Sequence, residues 1–232
     1  MSLVDAVRAA GEIPSDDVPQ AEKKNYSESL SHYLSSQVAD GLRTAGFPNV
    51  KPVHGGPGER AFQGGLGPKK VDVSYADERH GLLLAVSVKT INFAPFGKNL
   101  KNRFADLCTE AITLHMRFPY SVVCALFAFP IDAHEDVTEQ RTASTFYRAM
   151  QLFATISGRE EYTDPGEKFE NISLMLFQPM RNGGPEPSIK LFNTKDHLEM
   201  TEQGYFIMLR NIYNARNPHA VIGNGDENED EY

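Results

Sequence analysis

Cysteine is scarce in this chain, with Cys108 and Cys124 the only two in 232 residues. That excludes a disulfide framework and argues against cysteine-based zinc binding; both positions read as small side chains of a helix and a strand. Long apolar runs are also missing. The longest, YSVVCALFAF at 120–129, has strand length and falls well short of the ~20 residues a membrane helix needs. The opening segment MSLVDAVRAAGEIPSDD has neither the basic start nor the apolar stretch of a leader, so the expectation is a cytoplasmic protein without a membrane partner. The glycine-rich stretch 54–67 contains no G-x-x-x-x-G-K-[ST] phosphate loop. The seven histidines show neither metal-ligand spacing nor a Ser-His-Asp order. Positive charge is not in excess either. A net charge of −8 argues against a surface coated in base for nucleic acid. Much of it is local, because the tail GNGDENEDEY holds five acids and no base, and without them the balance is about −3.

What is present is a clear succession of patterns. Residues 1–22 are polar and punctuated by proline, which suggests a loosely attached arm with one short helix over Leu3–Ala10. From Lys24 to Gly46, apolar residues recur at three- and four-residue steps through Tyr26, Leu30, Tyr33, Leu34, Val38, Leu42 and Ala45, the mark of an amphipathic helix. The stretch 54–70 has no period and reads as a long loop. Two strands follow, KKVDVSY and GLLLAVSVKT, joined by the short polar linker ADERHG. A helix over Asn99–Phe118 carries the stripe Leu100, Phe104, Leu107, Ala111, Leu114 and Phe118, and Pro119 ends it. Residues 120–129 read as a central strand covered on both faces. A helix over 138–156, strands at 172–178 and 188–192 and a helix over 199–214 complete the pattern. The domain limits expected are an arm at 1–22, an α/β domain at 23–216 and an acidic disordered tail at 217–232.

Within this pattern, Asp72 lies on the first of two adjacent strands, and Ser87 and Lys89 share one face of the second. Such a pairing sets a carboxylate beside an ammonium at a sheet edge. The same arrangement also arises as an ordinary cross-strand ion pair.

Asp72 followed by Ser87-Val88-Lys89 on the next strand resembles the core motif of the PD-(D/E)xK nuclease superfamily, in which an acid precedes an acid-x-lysine. Serine stands here for the second acid, and Val71 for the proline that usually precedes the first. A subset of type II restriction endonucleases has the same Ser-x-Lys pattern and draws its missing carboxylate from the following helix. The helix RFADLCTEAITLHMRFP is similar to theirs and offers Glu110, with Asp106 one turn before it. The resemblance spans about 24–130 and implies a restriction-endonuclease-like α/β/α core of three layers around a central mixed sheet.

It also implies a chemistry. Asp72 and Glu110 would hold Mg²⁺, with Glu28 of the first helix as a third candidate metal ligand. Lys89 would contact the scissile phosphate or lower the pKa of the attacking water, and Ser87 would neighbour the site. The expected activity is Mg²⁺-dependent hydrolysis of double-stranded DNA at a specific sequence, as in a restriction system, by a homodimer matched to a palindromic target. Base-reading charge would come from Arg60, Lys69, Lys70, Arg181 and Lys190. Two other readings compete with this one. The chain could be a catalytically degenerate nuclease fold that binds nucleic acid or a protein partner without cleavage. It could also be an interaction protein in which Asp72 and Lys89 only pair and Glu110 is distant and solvated.

Overall fold

The computed structural model describes residues 2–53, 58–140 and 142–223. The chain opens with α1 (Leu3–Ala10), capped by Ser2 and Asp5, which exchange hydrogen bonds across its first turn. This helix is not a loose arm. Leu3, Ala6 and Val7 are buried in the core beneath α2 (Gln20–Thr44), and Leu3 N–H donates to Glu202 Oε1 at 2.9 Å. An apolar stripe at helical spacing explains the docking, since it is stable only when covered.

The stretch expected as a loop folds in part. β1 (Arg60–Gln63) and β2 (Pro68–Val71) form a two-stranded antiparallel sheet whose turn rests on the next long helix, α3 (Phe96–His115). Gly65 N–H donates to Thr113 O at 2.8 Å, and a Cβ on Gly64 would lie 2.5 Å from Thr113 Cγ2. Glycine is therefore required by close approach, not by looseness. Residues 54–57 lie outside the described residues.

β3 (Val73–Asp77) and β4 (Gly81–Thr90) make the expected antiparallel hairpin, with a register shift between Tyr75 and Ala76. The shift breaks the alternation of β4 near its start, so Leu82 and Leu84 pack on opposite sides of the sheet. β5 (Val122–Pro130) adds in parallel to β4, and every one of its residues is buried. After the short α4 (Asp132–Glu135), α5 (Thr145–Ala154) begins seven residues later than the apolar pattern predicts. Its first turn is fixed by Ser144, whose hydroxyl accepts from Tyr147 N–H, and by Asp136, which accepts from Thr145 N–H at 2.7 Å. β6 (Asn171–Phe177) is parallel to β5, and β7 (Ile189–Asn193) and β8 (Glu199–Met200) continue antiparallel. Thr201 caps α6 (Glu202–Arg216), so Glu199 belongs to a strand and not to the helix.

The fold is α/β, built on a mixed six-stranded sheet in the order β3-β4-β5-β6-β7-β8. Helices cover both faces. Val86, Val88, Cys124 and Leu126 face α1, α2 and α6, whereas Ala85, Val123, Ala125 and Phe127 face α3 and α5. The start of the expected tail is docked, with Ile222 against the core and clasped through its backbone by the Asn214 amide. Residues 224–232, where the disordered acidic tail is expected, lie outside the described residues.

Candidate active site

The KKVDVSY segment does not form one strand. The chain leaves the small sheet at Val71 and enters the large one at Val73, so Asp72 sits at the break and belongs to neither ladder. Its Oδ2 instead accepts from Val88 N–H of β4 at 2.7 Å and from Lys89 Nζ at 3.1 Å. Strand alternation sends Ser87 and Lys89 to the same side as Ala85, the side covered by α3. Glu110 comes down from α3 onto that point. Its Oε1 accepts from the Ser87 hydroxyl, and its Oε2 lies 3.5 Å from Lys89 Nζ.

A third strand contributes as well. Lys69 of β2 brings its Nζ to 2.7 Å from Glu110 Oε2. The Glu110 side chain is 1% exposed, so its charge is stable there only because Ser87, Lys69 and Lys89 surround it. Residue spacing offers no cue to Lys69 as a site residue, because a strand's alternation sets it on the opposite parity from Asp72. Only the clustering of two lysines just before the acid, in PKKVD, hints at it.

These groups line one end of a cleft of about 1250 Å³ between α2 and α3, floored by the end of β4. Six lysines and arginines line it against five acids, in a chain whose overall balance is −8. The cleft lining is close to charge balance with a slight excess of base, in contrast to the acidic chain as a whole. Burial pulls the Lys89 ammonium down, but the Glu110 and Asp72 carboxylates outweigh it and hold its pKa above the ordinary lysine value. Lys89 is therefore a fixed cation at neutral pH, able to stabilise charge and unable to serve as a base.

Other expected residues are placed differently. Glu28 and Asp106 line the same cleft but are exposed, paired with Lys24 at 3.5 Å and Arg103 at 3.3 Å. Among the described residues, no group of three or more His, Cys, Asp or Glu side chains gathers where it could hold a metal. Asp72 and Glu110 are two carboxylates that converge on one ammonium. Of the residues expected to read bases, only Lys69 lines the cleft. Arg181 pairs with Asp132 at 2.8 Å, Lys190 with Glu199 at 3.6 Å and Lys70 with Glu59 at 3.4 Å, while Arg60 lies over the Phe62 ring.

The residues fit a divalent ion in one respect that the structure itself displays. Oδ2 of Asp72 and Oε2 of Glu110 both approach Lys89 Nζ, at 3.1 and 3.5 Å, and Lys69 Nζ lies 2.7 Å from the same Oε2. Two carboxylate oxygens side by side are donors of the kind a hard cation takes, and here ammonium groups stand where the ion would. Water and phosphate oxygens would have to complete the shell.

Comparison with protein-family models, curated proteins and solved structures finds no match to this chain. No helix among the described residues is long and apolar enough to cross a membrane.

Proposed function

We propose that this protein is a Mg²⁺-dependent endonuclease of the restriction type, hydrolysing phosphodiester bonds of double-stranded DNA at a specific sequence. The observation that carries this reading is the meeting of Asp72, Lys89 and Glu110, from a strand break, a strand and a helix, at one end of a comparatively basic cleft. An ordinary cross-strand pair would leave Glu110 distant and solvated, and it is neither. The resemblance of Asp72 and Ser87-Val88-Lys89 to the nuclease motif supports the same reading.

Bound Mg²⁺ would supply a Lewis acid for the phosphoryl oxygen and a more acidic water. Asp72, fixed by the Val88 N–H, and Glu110, fixed by the Ser87 hydroxyl, would hold it. Lys89 would meet the charge that builds on the phosphate as the water oxygen forms its bond to phosphorus and the bond to the leaving oxygen breaks. One such site per chain cuts one strand, so cutting both strands of a symmetric target calls for a homodimer.

A second reading, a nuclease fold that binds nucleic acid without cutting, is favoured by one observation: only two carboxylates converge, and lysines already neutralise both. Incubation of plasmid and phage DNA with Mg²⁺ separates the two. Discrete fragments are expected from the wild type, with the rate reduced about 10²- to 10³-fold in Lys89→Ala and Glu110→Gln. Folded wild-type protein that shifts DNA in a gel yet leaves it intact would establish the second reading instead.

A further inference from the structure

Glu110 is served by two lysines where the chemistry above uses one. Lys69 Nζ lies 2.7 Å from Oε2 and Lys89 Nζ 3.5 Å from the same atom. The two lysines are held differently. Lys89 stands on the central sheet, donates a hydrogen bond to Asp72 and is 18% exposed. Lys69 comes from the small β1–β2 sheet, is 32% exposed, and has no carboxylate within ion-pair distance other than Glu110 among the described residues. Its four-carbon stem ends in a compact charge that can swing. With Asp72 and Glu110 as the acids, the two ammonium groups bring the site to neutrality.

We propose that Lys69 is a second functional lysine of this site: a tethered cation that occupies Glu110 in the resting protein and passes to the substrate phosphate when a divalent ion takes that carboxylate. The inference rests on the nuclease reading above. Mg²⁺ binds oxygen at about 2.0–2.1 Å in a demanding octahedron, so an ammonium and the ion cannot share one lone pair of Oε2. Lys89 keeps its place through Asp72, which leaves Lys69 as the group that must move. Once released, it lies within the same cleft and adds a cation to an incoming phosphate, so that metal binding and phosphate binding are coupled through one side chain.

The test measures Mn²⁺ and Mg²⁺ binding to the full chain by titration calorimetry, in the absence of DNA, for wild type, Lys69→Met and Lys69→Arg. Single-turnover cleavage at saturating Mg²⁺ accompanies it. The expected result is about tenfold tighter ion binding by Lys69→Met, with cleavage slowed roughly 10²-fold even when the metal site is full. Lys69→Arg should restore the wild-type ion affinity and part of the rate. Ion affinity and rate both unchanged in Lys69→Met would overturn the proposal while leaving the nuclease reading intact. Weaker ion binding in Lys69→Met would also overturn it, because Lys69 would then be positioning Glu110 and not competing for it. A wild-type chain that binds neither ion and cuts no DNA removes the nuclease reading itself, and this proposal with it.

Discussion

Glu110 concentrates the energetics of the site in one side chain. Its Oε1 accepts from Ser87, which is itself completely buried, and its Oε2 faces two ammonium groups. Removing the hydroxyl leaves a buried carboxylate oxygen without a donor, which costs about 1–3 kcal/mol. Ser87→Ala is therefore expected to lose that much stability in urea denaturation. Because Ser87 and Glu110 share one interaction, a double-mutant cycle with Glu110→Gln should show a coupling of roughly 0.5–3 kcal/mol. Strict additivity would mean that the hydroxyl does not hold the carboxylate. Lys89 adds a constraint on pH. Its pKa is raised in the folded state, so its contribution to stability is whole below the unfolded lysine value near 10.4 and is lost only as pH rises through the higher folded value.

At the scale of elements, some features were legible in the sequence and others were not, for separate reasons. The stripe of α3 and the unbroken apolar run of β5 read directly, because periodicity reports burial and both elements are long. Ser87 and Lys89 fall on β4 and Glu110 on α3, both patterned elements, whereas Asp72 sits at a strand break and was legible only through its place in the motif. The β1–β2 sheet was not, since four-residue strands joined by glycines carry no period, and the glycines reflect how closely the turn approaches α3. Lys69 was lost as a site residue with it. The docking of α2 on α6 was hidden for a similar reason. Gly41 sits under the Phe206 ring, where a Cβ would lie 2.0 Å from Cζ. Gly41→Ala would normally favour a helix by up to about 1 kcal/mol. Here the ring must move, and overpacking of about 1–3 kcal/mol should win. A lower denaturation midpoint for Gly41→Ala is the expected outcome, and a raised one would mean that α6 shifts freely.

Across the whole molecule, a second buried carboxylate ties the architecture together. Glu170, just before β6, is 1% exposed and meets Arg159 Nη1 at 2.7 Å, Arg216 Nη1 of α6 at 3.2 Å, His115 Nε2 of α3 at 3.4 Å and the Val123 N–H of β5 at 2.8 Å. Burial pushes its pKa up, but the hydrogen bond and charge of His115, the Val123 N–H and Arg159 together bring it below the ordinary glutamate value. A depressed carboxylate stabilises the fold fully above its unfolded pKa near 4.3 and loses that contribution as pH falls through the lower folded value. Glu170→Gln strips the counter-charge from the buried Arg159 and the partly buried Arg216, and breaking such a buried pair costs about 3–5 kcal/mol. Urea denaturation at a series of pH values should therefore show the variant less stable by that amount at pH 7. Its disadvantage should narrow below about pH 4, where the carboxylate of the unfolded chain takes up a proton that the folded wild type resists. A constant gap down to acid pH would mean that Glu170 acts through shape and not through charge. Because α3 carries both Glu110 and His115, the same experiment asks whether the helix that presents the candidate site is anchored by this ion cluster or by its apolar stripe alone.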